Sequence, residues 1–174
     1  MKTSLQAISL GALALMLVSL TSFAEPRPAS RCMNIAYDGS GYLDFFEIAP
    51  GDVRLGFPPQ PAMLGDLPVM VQSYIDTIYA SGSKGQGAQH LTLVHTYTST
   101  DALRAGSFTT KDRAVCAVAG KDAGICQVND VLTIDAGTGI FANAGGKLTN
   151  HGVINLNNFS LSYDVRGRVC GNGL

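Results

Sequence analysis

The chain reads as an all-β protein, an antiparallel barrel of about eight strands. Two observations predict this class. Through residues 128–156, short runs of Val, Leu, Ile and Phe are broken every few positions by Gly or Asn, the residues that tolerate the positive φ of tight hairpin turns. Then, around Asn157-Asn158, a two-residue turn sets Leu156 against Phe159, Ile154 against Leu161 and Gly152 against Tyr163. The apolar row Phe159, Leu161, Tyr163 and Val165 then falls on one face, and a one-residue slip would replace it with serines.

Taken in order, residues 1–24 read as a secretory signal: Lys2, an apolar stretch over residues 5–20, and Ser22-Phe23-Ala24 before Glu25. The apolar run is short for a membrane span, so no stable membrane insertion is expected once the signal is cleaved. A secreted or periplasmic protein follows. The remainder is one domain's worth of chain, divided into a leader over residues 25–41, held by a disulfide, and a barrel over residues 42–174. Lys and Arg number 12 against 13 Asp and Glu, so there is no basic patch for nucleic acid.

Four cysteines in an exported domain suggest two disulfides. Three pairings exist in principle, and local register selects one. A hairpin with the three-residue loop Gly120-Lys121-Asp122 sets Cys116 directly opposite Cys126. Cys32 is left to Cys170, tying the leader to the last strand.

Tyr42 to Ile48 is the first expected strand, with Leu43, Phe45 and Glu47 on one face. Residues 50–68 hold five of the seven prolines and read as a long, lid-like loop. The stretch over residues 69–80 (VMVQSYIDTIYA) is rich in β-branched and aromatic residues and is read as a strand. A Gly/Ser turn over residues 81–89 leads to HLTLVHTYT, where Leu91, Leu93, His95 and Tyr97 alternate onto one face. Two further strands follow, over residues 107–118 and 124–134.

With these elements placed, four pieces of sequence resemble one family. GTGIFANAGGKLT (residues 137–149) resembles the glycine-rich signature of the allene oxide cyclase and dirigent-type barrels. Gly65-Asp66-Leu67 is similar to that family's entry into its second strand, and Phe46-Glu47-Ile48 to the first strand of the plant cyclase. The ending SYDVRGRVC resembles the closing strand of secreted bacterial members. A parallel β-helix also uses such glycine-rich phrases, but here the phrase occurs in a single copy. The resemblance implies an eight-stranded barrel, often oligomeric, so a homo-oligomer stays open. It also implies an apolar lumen that orients a small hydrophobic molecule for cyclisation or isomerisation without a cofactor.

On that basis Glu47 and His95 are the candidate catalytic residues. Glu47 matches the cyclase's strand-one glutamate, although Ala49 stands where the plant motif has Asn. His95 supplies an imidazole able to act as acid or base near neutral pH. Leu43, Phe45, Leu91, Leu93 and Tyr97 are the candidate ligand-binding wall. No metal site is expected: there are only three histidines, there is no C-x-x-C, and Asp112, Asp130 and Asp135 read as solvated. No serine sits in a nucleophile elbow. Three functions fit: a cyclase or isomerase, a carrier with an apolar lumen, and a structural or surface protein with a filled barrel.

Overall fold

The computed structural model describes residues 31–80, 88–118 and 124–174. The expected signal segment, the tip of the Gly/Ser turn and the tip of the Lys121 hairpin lie outside the described residues. Nine antiparallel strands form one curled, barrel-like sheet: β1 (Arg31–Tyr42), β2 (Asp44–Ala49), β3 (Asp52–Leu64), β4 (Leu67–Ala80), β5 (Gln89–Ser99), β6 (Ser107–Val118), β7 (Ile125–Gly137), β8 (Gly145–Asn155) and β9 (Ser160–Gly171). Among the described residues, one 3-10 turn, Gly139–Phe141, interrupts them between β7 and β8.

The strand order is β1-β9-β8-β7-β6-β5-β4-β3-β2, so the first strand lies beside the last. Only Leu43 separates β1 from β2. The chain over residues 31–49 therefore bonds to β9 along its first part and to β3 along its second, bringing the two ends of the meander together. Counted that way, one strand kinked at Leu43 and seven others make up the curl. Gly39 and Gly41 permit the approach. A Cβ at Gly39 would run into the Tyr163 ring, and one at Gly41 would lie 2.5 Å from the Phe57 ring.

The leader expected over residues 25–41 is corrected accordingly: from Arg31 onward it is β1, a full strand of the sheet. The proline-rich stretch is also no loop but strand β3. Its ladder to β4 shifts register between Phe57 and Gln60, which leaves Pro58 and Pro59 out of the pairing. Beyond Gly56, β3 also has no ladder to β2. Proline lacks the N–H that a doubly paired strand needs, and this edge does not ask for it. Gly51 (φ 81°) and Gly65 (φ 62°) make the tight turns on either side.

Both disulfides form as paired in the sequence reading. Cys32 and Cys170 are directly opposed on β1 and β9. Cys116 is opposite Val128 and Cys126 opposite Val118, so that bridge is diagonal, with a Cα–Cα distance of 5.4 Å. The hairpin centre is one residue later than the Lys121 loop implies.

The last hairpin keeps its expected register, with Ile154 opposite Leu161 and Gly152 opposite Tyr163. Phe159 departs from the expected burial. It sits at φ 58° in the turn and is 45% exposed, because the loop is wound by Asn155 and Asn158 accepting backbone N–H bonds from Asn157 and Ser160.

Inside the curl are two apolar clusters. The larger contains Tyr97, Phe108, Phe141, Leu132, Leu148 and their neighbours. Tyr97 and Phe108 stack at 4.5 Å, and Phe141 meets Phe108 edge-on at 4.9 Å. The smaller contains Leu91, Ala114, Val128 and the Cys116–Cys126 bridge.

Candidate functional site

Alternation along each strand sends every second side chain inward. On β5 the inward row is Leu91, Leu93, His95 and Tyr97. On β6 it is Phe108, Thr110, Asp112, Ala114 and Cys116, and on β7 it is Cys126, Val128, Asp130 and Leu132. Each row is apolar except for a polar interruption. The ladders offset these interruptions from strand to strand: His95 is opposite Thr110, Asp112 opposite Leu93, and Asp130 opposite both Ala114 and Asn150. The result is a diagonal polar band from β5 to β8.

Within the band, His95 Nδ1 lies 2.6 Å from Asp112 Oδ2, and the Thr110 hydroxyl donates to the same oxygen at 2.8 Å. Asp112 is 2% exposed. Its other oxygen has no well-formed hydrogen bond, and neither do the two carboxylate oxygens of Asp130 or Oδ1 of Asn150. Asp130 is also 2% exposed. Burial pushes its carboxyl up to about 7; the His95 imidazole opposes this and the Asp112 carboxylate adds to it, while the Val131 backbone N–H pulls only weakly the other way. Asp112 and Asp130 are thus not the solvated acids expected, whereas Asp135 is exposed and ion-paired to Lys111 at 3.0 Å. His95, Asp112 and Asp130 each offer one ligand-type atom, all within 4.8 Å of one another. The sequence alone does not bring these three together. The residues are far apart in sequence, and only the stagger of three neighbouring strands assembles them.

Against the band, sharing His95 and Asn150 with it, lies a cavity of about 70 Å³. Its wall takes Val71 and Val165 from the larger cluster and Leu91 and Val128 from the smaller, so it occupies the gap between them. Of the residues expected at this wall, Leu43, Leu91, Leu93 and His95 are there. Three are not. Tyr97 lies fully buried in the larger cluster, where its hydroxyl meets that of Tyr37 at 3.0 Å. Burial pushes both phenols well up, so they remain neutral hydroxyls. Phe45 is 66% exposed. Glu47 is exposed as well, its Oε1 accepting the Gly51 N–H at 2.6 Å. The chain kinks at Leu43, and β2 pairs only with the start of β3, so both side chains sit where no strand covers them.

The sequence reading missed Phe57, Tyr163 and Asn150 in the wall. The Phe57 and Tyr163 rings meet edge-on at 5.4 Å. Phe57 was hidden in the proline-rich stretch. Tyr163 was legible as a member of the last apolar row. Asp130 carried a signal too, as an acid flanked at alternate positions by Val128 and Leu132.

Set against known protein families, curated proteins and solved structures, the chain matches none. The likeness to the allene oxide cyclase family therefore rests on short motifs alone.

Proposed function

We propose that this protein works in a secreted or periplasmic setting and holds a small apolar molecule, or the apolar end of a longer one, inside its curled sheet. The observation that carries the reading is His95. It stands in the wall of a mainly apolar cavity, with Nδ1 anchored to a buried carboxylate and Nε2 left as its remaining nitrogen. Pockets that bind small molecules are typically apolar with a few orienting polar groups. The two disulfides suit an oxidising compartment.

Size limits the ligand. A dry cavity of roughly 150 Å³ holds a benzene, and this one is about 70 Å³. The occupant is a few heavy atoms, such as a short alkyl end. An imidazole at that position can take or give a proton, which is the chemistry needed to isomerise or cyclise a reactive hydrophobic molecule.

The test is NMR titration with short n-alkyl alcohols of increasing length. Shifts confined to the Leu91, Leu93 and Ile154 methyls and the His95 ring, ceasing above a sharp length limit, support the reading. Shifts at the exposed Tyr42, Phe45 and Leu103 instead, or none at all, refute it. The small cavity volume favours a second reading, a structural protein with a filled interior, and that outcome would leave it standing.

A further inference from the structure

The polar band holds two carboxylates and an imidazole at close quarters. Among the described residues, no lysine or arginine forms an ion pair with Asp112 or Asp130. Three carboxylate oxygens there, Asp112 Oδ1 and both of Asp130, lack well-formed partners, as does Oδ1 of Asn150 directly across the ladder. Buried polar atoms in native proteins nearly always have partners, and buried charges are paired or coordinate metals. Four under-satisfied acceptors beside an imidazole form an arrangement that a cation completes.

We propose that His95, Asp112 and Asp130 bind a divalent cation, with Asn150 Oδ1 as a further neutral oxygen donor. The spacing is compatible. Two ligand atoms on one such ion lie at most roughly 4.4 Å apart, twice a bond of about 2.2 Å. The three atoms here lie within 4.8 Å of one another, so they converge on one ion once the side chains draw together. Two carboxylates balance a 2+ charge. One imidazole nitrogen among oxygens selects a borderline ion such as Zn²⁺ over the harder Mn²⁺, Mg²⁺ and Ca²⁺. Binding through Nδ1 moves the imidazole proton to Nε2, and the proton held by the Asp130 carboxyl leaves to solvent as the ion takes its place. His95 lines the cavity, so an ion on its ring sits at the cavity wall. This goes beyond the proposed binding of an apolar molecule and does not depend on it.

The experiment is isothermal titration of chelator-treated full-length protein with Zn²⁺, Mn²⁺ and Mg²⁺, alongside Asp130→Asn, His95→Gln and His151→Ala. Asp130→Asn is nearly isosteric, and circular dichroism checks its fold; His95→Gln is the second site variant should the first not fold. The expected result is one Zn²⁺ per chain, weaker Mn²⁺ binding and no measurable Mg²⁺ binding. Zn²⁺ affinity should fall at least tenfold in either site variant and stay unchanged in His151→Ala, whose histidine is exposed. Absence of Zn²⁺ binding, or undiminished binding in both site variants, would overturn the proposal. In that case protons alone balance the carboxylates.

Discussion

Asp112 and His95 meet at 2.6 Å although neither stands opposite the other in the ladder: Asp112 is paired with Leu93 and His95 with Thr110. Their contact is a diagonal one, produced by the curl of the sheet. It draws the imidazole and the Thr110 hydroxyl onto one buried oxygen.

Removing that oxygen should be costly. Asp112→Ala leaves the Thr110 hydroxyl and His95 Nδ1 without their acceptor, and each buried orphan is worth about 1–3 kcal/mol. Urea unfolding should show a loss in that range or above it, whereas Asp135→Ala on the exposed face should change stability by less than about 0.5 kcal/mol.

Asp130 gives stability a pH dependence in chelator-treated protein. Its folded carboxyl titrates near 7, well above its unfolded value of 3.8. Between these values the folded state holds a proton that the unfolded chain releases, so stability falls as pH rises from about 4 to 7. Asp130→Asn should flatten that slope and melt higher than wild type at pH 8. A wild type that gains stability across the window would contradict the assignment.

Much of the fold was legible in the sequence, and the reasons lie in particular residues. The alternation of Leu91, Leu93, His95 and Tyr97, and the register of Leu161 and Tyr163 across the last turn, follow from a period of two and local turn chemistry. Pro58, Pro59 and Pro61 misled because their tolerance in β3 depends on which neighbour is missing, a non-local fact. Glu47 and Phe45 misled for the same reason: alternation gives a face, but not whether another strand covers it. Asp112 and Asp130 were visible as acids in apolar rows, yet their meeting with His95 depends on the stagger of three strands.

The two disulfides should differ in weight. In the chain-entropy picture, a crosslink closing 138 residues stabilises by roughly 5 kcal/mol and one closing 10 residues by roughly 3 kcal/mol. Replacing Cys32 and Cys170 by serine should therefore lower the melting temperature more than replacing Cys116 and Cys126. Equal losses would show that β1 is held to β9 chiefly by its ladder.

Gly41 is where β1 yields to the Phe57 ring. A valine there would place its Cβ 2.5 Å from that ring before adding two methyl groups. Gly41→Val should destabilise by about 1–3 kcal/mol through overpacking and push Phe57 into the cavity. Calorimetry and the loss of alkyl-alcohol binding would report both effects.

The most direct test of the cavity is a crystal pressurised with xenon, which enters dry apolar cavities. One anomalous peak is expected within van der Waals reach of Leu93, Phe57 and Tyr163, bounded on one side by the His95 ring, and it should disappear in Leu93→Trp. A crystal whose interior takes up no xenon, with side chains packed solid between the two apolar clusters, would contradict it.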